Sequence, residues 1–217
     1  NTVLAVGFNN VYKSINNGGN WSITTVTAVP NSAIVCLAVS GSTFFACANN
    51  IPNLFTSVDN GATWTATGSG ISGMPMALEV NGNNVYVGTS TGMFISNNNG
   101  ASFNASNTGF GTIANFGAIA ANGSIVFAGT DKGMFVSLNG GASWSSANYG
   151  LANTDTKYML LNGPDLFTGT YYETGTFRTS DGGNTWIPVN AGLVGDVNTF
   201  AVSGNSLYAG TSGQGIY

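Results

Sequence analysis

The chain has 217 residues, 43% of them hydrophobic, but only four Lys/Arg against eight Asp/Glu, no His, and a net charge of −4. That length allows one large all-β domain or two small ones with a sizeable core. A charged fraction of 6% excludes an ordinary charge-solvated surface, the apolar content excludes a disordered chain, and four scattered cations exclude a nucleic-acid face.

Other classes fall on composition as well. Without His the commonest general base and a favoured zinc ligand are missing, and two Cys cannot build a cysteine-rich metal cluster. No cofactor and no metal are expected. The longest apolar run, Ala33 to Val39, is far shorter than the ~18 residues of a membrane-spanning helix. The sequence opens at Asn1 rather than Met, which reads as a processed mature protein or a piece of a longer one.

In chain order, an apolar stretch at Val3–Gly7 precedes a polar box, Ser14-Ile-Asn-Asn-Gly-Gly-Asn-Trp21. The box returns as Ser57-Val-Asp-Asn-Gly-Ala-Thr-Trp64, Ser96-Asn-Asn-Asn-Gly-Ala-Ser-Phe103, Ser137-Leu-Asn-Gly-Gly-Ala-Ser-Trp144 and Thr179-Ser-Asp-Gly-Gly-Asn-Thr-Trp186. Its third residues are Asn16, Asp59, Asn98, Asn139 and Asp181. Its shared glycines, Gly18, Gly61, Gly100, Gly141 and Gly183, recur at intervals of 43, 39, 41 and 42 residues. Between boxes, short β-branched and aromatic runs are broken by Ser40-Gly41, Asn81-Gly82, Asn122-Gly123, Asn162-Gly163 and Ser203-Gly204. These read as strands joined by tight hairpins. In the third period they lie near Ala77–Val80, Val85–Gly88, Met93–Ser96 and Ser102–Ala105.

A period of about forty residues holding four strands is the arithmetic of a β-propeller blade; a β-solenoid, the alternative, uses shorter rungs. The expected fold is therefore all-β, a propeller of four-stranded antiparallel blades with about five present. The blades fall at 1–30, 31–72, 73–112, 113–152 and 153–194, with a partial one at 195–217. Because the first period starts at its second strand and the last stops within its third, the chain is expected to be part of a ring of six to eight blades. A five-bladed closure is the alternative.

The five boxes resemble the Asp-box (BNR) repeat, Ser/Thr-x-Asp-x-Gly-x-Thr/Ser-Trp, of sialidases, xyloglucanases and many secreted propellers. The resemblance places each box in the hairpin between the third and fourth strands, on the outer rim. The residues agree with a structural turn: a short acceptor side chain binds turn N–H groups, glycine supplies positive φ, and the aromatic packs beside the hairpin. Asn retains the acceptor oxygen where Asp is absent.

Cys36 and Cys47 stand opposite each other if Ser40 pairs with Thr43; a disulfide and two buried thiols both remain open. The resemblance to sialidases implies an arginine triad, and Arg178 is the only Arg here. A xyloglucanase-like hydrolase needs two facing carboxylates, for which Glu79, Asp131, Asp155, Asp165, Glu173 and Asp196 are the candidates outside the boxes. The photosystem II assembly factors, another Asp-box group, imply a basic groove that this composition cannot provide.

The phrasing around Phe177–Trp186 and Ala201–Thr211 is similar to tandem Asp-box propellers of secreted or surface proteins of Bacteroidetes-type bacteria. That resemblance implies export, often by a type IX secretion signal, and linkage to further domains or blades. The leading expectation is a non-catalytic binding or scaffold module contacting protein or glycan at the cell surface, with no nucleic acid and no membrane span. The alternatives are a polysaccharide-active hydrolase propeller and a structural subunit of a surface assembly. Candidate contacts lie in loops after second strands: Tyr171, Tyr172 and Glu173, Asp131 and Lys132, and Asn49 and Asn50.

Overall fold

The computed structural model describes residues 2–7, 10–24, 33–49, 51–112, 115–152, 155–170, 175–204, 206–213 and 215–217, with Lys157 by its backbone only. They form two compact units, 1–106 and 107–217, each holding three antiparallel sheets in which the strands follow one another in chain order.

In the first unit, sheet one is β1 (Val3–Gly7), β2 (Asn10–Ser14) and β3 (Ser22–Thr24). Sheet two is β4 (Ile34–Ser40), β5 (Thr43–Ala48), β6 (Leu54–Ser57) and β7 (Thr65–Thr67); sheet three is β8 (Pro75–Asn81), β9 (Asn84–Thr89), β10 (Gly92–Ser96) and β11 (Asn104–Ala105). In the second unit, sheet four is β12 (Phe116–Asn122), β13 (Ile125–Thr130), β14 (Gly133–Ser137) and β15 (Ser145–Ser146). Sheet five is β16 (Thr156–Asn162), β17 (Asp165–Thr170), β18 (Gly175–Thr179) and β19 (Ile187–Pro188), and sheet six is β20 (Val197–Ser203), β21 (Ser206–Thr211) and β22 (Gly215–Ile216). Thus six sheets stand where about five blades and a partial one at 195–217 were expected; the first and last have three strands among the described residues.

The hairpins form as the sequence predicts. Ser40 pairs with Thr43 and Asn81 with Asn84, leaving two-residue loops that start on Gly41 and Gly82. Their φ values of 59° and 61° match the turn that needs glycine at its first central position. The first strand of sheets two to six carries a register shift near its start, as between Ile34 and Cys36 and between Val197 and Thr199. Such bulges bend the strand and increase its twist.

Alternation on second strands distributes the core. Phe44, Ala46 and Ala48 pack with Val11, Ile34, Phe55 and Trp64, joining sheets one and two. The intervening Phe45 and Cys47 pack with Leu54, Ile71, Val85, Val87, Phe94 and Phe103, joining sheets two and three. In the second unit, Ala120, Phe127, Met134 and Ala147 meet Leu166, Phe177 and Trp186 across sheets four and five. With both faces buried, β5, β9 and β13 have no polar face, so they read as continuous apolar runs.

The cysteines face each other in register, Cys36 opposite Cys47, and both are free thiols. Burial pushes Cys36 up to about 12 and raises Cys47 as well, which makes both poor nucleophiles at neutral pH.

Candidate functional site

The box is one repeated network on the link between the last two strands of each of sheets one to five. In all five, the leading hydroxyl (Ser14, Ser57, Ser96, Ser137 or Thr179) donates to the side-chain oxygen of the third box residue at 2.7–2.9 Å. The same hydroxyl accepts the N–H of the box glycine (Gly18, Gly61, Gly100, Gly141 or Gly183) at 2.7–3.0 Å. The third residue's oxygen then accepts the N–H four residues on, at 2.8–3.0 Å.

Asp and Asn boxes differ in one compensating detail. Thr63 and Thr185 donate their hydroxyls to the second oxygens of Asp59 and Asp181 at 2.6 Å. In two of the three Asn boxes a serine takes that place and accepts: Asn98 Nδ2 to Ser102 and Asn139 Nδ2 to Ser143, each at 2.9 Å; in the first box Asn20 stands there. Hydrogen bonds from Thr63 and Thr185 hold Asp59 far below the usual carboxylate range and lower Asp181 to about 2. The box carboxylates are turn-closing acceptors.

Trp64, Phe103 and Trp186 pack in the cores that join neighbouring sheets. Trp64, Trp144, Trp186 and Phe103 are buried, whereas Trp21 is 46% exposed. Phe103 N–H donates to Ser69 O at 2.8 Å; Trp144 N–H and Trp186 N–H donate to Thr108 O and Tyr149 O, each at 2.9 Å. The glycine after each acceptor (Gly70, Gly109 or Gly150) sits so close that a Cβ would fall 1.9–2.4 Å from the aromatic's own carbonyl oxygen. Sequence reading missed this clasp. Its signal is a Gly followed by Ile71, Phe110, Leu151 or Leu193, nine residues after the box glycine in the last four boxes.

A second repeated clasp governs the loops singled out for binding. The residue after the second strand donates its N–H to the residue before the first strand: Asn49 to Ala33, Ser90 to Met74, Asp131 to Asn115 and Ser212 to Asp196, at 2.9–3.1 Å. In the first three its side chain takes an N–H back, from Ala33 at 2.8 Å, Met74 at 2.9 Å and Asn115 at 3.0 Å. Asp131 also accepts Asn115 Nδ2 at 3.0 Å. Asn49 and Asp131 thus fasten their own sheets, and Lys132 is exposed with its ammonium 3.9 Å from Asp131. Asn50, Tyr171, Tyr172 and Glu173 lie outside the described residues.

The other carboxylates are placed as follows. Asp165 is ion-paired with Arg178 at 2.8 Å. Asp155 and Asp196 immediately precede first strands. Glu79 faces Tyr86 across β8 and β9, where the neighbouring repeats have Ala38 facing Phe45 and Ala120 facing Phe127. Burial raises its carboxyl to about 7. Among the described residues no three His, Cys, Asp or Glu converge as metal ligands.

The second unit also carries a groove of about 360 Å³ on its fourth-strand side, lined by Leu138, Ser143, Ser145, Ser146, Tyr149 and Asn184 among others. Among the described residues that line it none is charged.

No family model and no curated protein matches the chain. Solved structures do. The chain is similar to a GH74 enzyme of Niastella koreensis, at 24% identity and a TM-score of 0.70 over 99% of this chain and 34% of that one. It is also similar to YCF48 bound to D1 peptide, at 14% identity and TM-score 0.73 over 99% and 76% of the two chains. A third is the extracellular domain assigned to a hybrid two-component system of B. thetaiotaomicron, at 11% identity and TM-score 0.78 over 96% and 29%. The fold is a β-propeller. The chain spans about a third of the length of the GH74 enzymes it matches, and no helix of its described residues is long and apolar enough to cross a membrane.

Proposed function

We propose that the chain is an Asp-box propeller segment acting as a non-catalytic binding or scaffold module, extracellular or on the cell surface, that contacts protein or glycan through its loops. The observation that carries this reading is the use to which its acids are put. Asp59 and Asp181 close box turns, Asp131 fastens Asn115 and Asp165 holds Arg178. Hydrolysis of a glycosidic bond calls for two acids flanking an open cleft; these four are engaged with their own sheets. Blades at 1–30, 31–72, 73–112, 113–152, 153–194 and 195–217 would then belong to one propeller, linked to further blades or domains in a longer protein. Export by a type IX route fits the same reading.

The test is a glycan array and a pull-down with the intact protein and its Tyr171→Ala/Tyr172→Ala variant, beside a reducing-sugar assay. Binding without sugar release is expected. Release of reducing ends from a bound polysaccharide would replace this reading with the hydrolase.

That second reading has one observation in its favour, the similarity to GH74 enzymes. A second loop carboxylate facing Asp131, Asp155 or Glu173, supplied by chain outside these residues, would favour it.

A further inference from the structure

A repeat protein shows what its fold requires by what recurs, and side chains that break the pattern invite a separate explanation. Two such departures meet at the groove of the second unit. Tyr149 occupies the clasp position held elsewhere by Ser69, Thr108 and Ala191. Asn184, the sixth residue of the last box, stands where the other boxes have Gly19, Ala62, Ala101 and Ala142. They are 35 residues apart in sequence, and both line the same groove.

Neither side chain is needed for the core. Tyr149 is 78% exposed, although its backbone is fixed: its carbonyl accepts Trp186 N–H at 2.9 Å, and Gly150 is pressed against Trp186 O. Beside it, Asn148 accepts Met134 N–H at 2.7 Å and donates to Ser146 at 2.8 Å. The phenol ring therefore stands on a backbone already ordered, so little further ordering is needed when a ligand covers it. Asn184 donates to Asp181 O at 2.7 Å, which leaves its amide oxygen as an acceptor. Ser143 and Ser146 each accept from a neighbouring Asn and retain a hydroxyl proton to donate. An aromatic platform beside uncharged donors and acceptors complements a sugar ring, whose C–H face stacks and whose hydroxyls both give and take hydrogen bonds. A cavity near 360 Å³ accommodates one or two such rings.

We propose that this groove is a binding site for a neutral saccharide, with Tyr149 as the stacking platform and Asn184, Ser143 and Ser146 as its polar contacts. The assignment rests on the binding-module reading and gives it a location away from the loops after the second strands.

The experiment screens the 217-residue protein against immobilised neutral oligosaccharides and titrates the best one by calorimetry into wild type, Tyr149→Ala, Asn184→Ala and Tyr149→Phe. Expected are a loss of about tenfold or more for Tyr149→Ala, a smaller loss for Asn184→Ala, and near-wild-type affinity for Tyr149→Phe, which keeps the ring. All variants should melt with the wild type, since both side chains are exposed. Affinity unchanged in Tyr149→Ala and Asn184→Ala overturns the groove and leaves the module reading standing. So does an array silent to sugars from a protein that binds a peptide. Sugar release overturns the module reading itself.

Discussion

Gly109 lies against the carbonyl of Trp144 so closely that a Cβ on the glycine would fall 1.9 Å from that oxygen, while Trp144 N–H is bonded to Thr108 O. The glycine also has φ of 104°. Gly109→Ala therefore meets both a backbone collision and an unfavourable dihedral, and should cost about 3 kcal/mol or more. Gly82→Ala, with φ of 61° and open space around its Cβ, should cost only about 1–2 kcal/mol. Urea unfolding of the two variants checks the contrast.

Burial separates the box indoles. Trp186 is 3% exposed and its Nε1–H donates to Ala147 O at 2.8 Å, so Trp186→Ala should cost about 4 kcal/mol. Trp21 is 46% exposed, and Trp21→Ala should cost about 1 kcal/mol. Equal losses at the two positions would contradict the seam role assigned to the buried indoles.

Only two boxes can titrate. Asp181 is held at about 2 and Asp59 lower still by threonine hydrogen bonds, against about 3.9 in the unfolded chain. Depressed values stabilise the fold above the unfolded value and lose that contribution as pH falls through the folded one. Thermal melts from pH 5 to 2 should show a decline that the Asp59→Asn/Asp181→Asn variant reduces, because Asn98 and Asn139 already close the same turn without a proton to gain.

Glu79 titrates in the opposite sense. Burial lifts its carboxyl to about 7, above an unfolded value near 4.3, so the folded state holds the proton more tightly and stability declines as pH rises between those values. Glu79→Gln should flatten that decline and be more stable than wild type at pH 8, as read by the melting midpoint.

The strands, hairpins and boxes were legible because they repeat: glycines such as Gly41 and Gly82 recur in step with the boxes, and the period alone separates the sheets. The clasp glycines were written in the same period but carry no special chemistry, so Gly109 reads as an ordinary loop residue until Trp144 O is seen against it. Asn49 and Asp131 show the converse. Their polar side chains in loops suggested ligand contacts, yet a side-chain oxygen at that position takes back an N–H from the start of the same sheet, and Ser90 does the same. The groove could not be read at all, since Tyr149 and Asn184 belong to different periods and meet only through the packing of sheets four and five.

The most direct measurement incubates the intact protein with its best-bound neutral polysaccharide and follows binding and reducing-end release in the same sample. Saturable binding with reducing ends remaining at the level of the protein-free control is the predicted result. Release that grows with protein concentration and time would show that the acids that fasten the sheets, or others beyond them, perform catalysis.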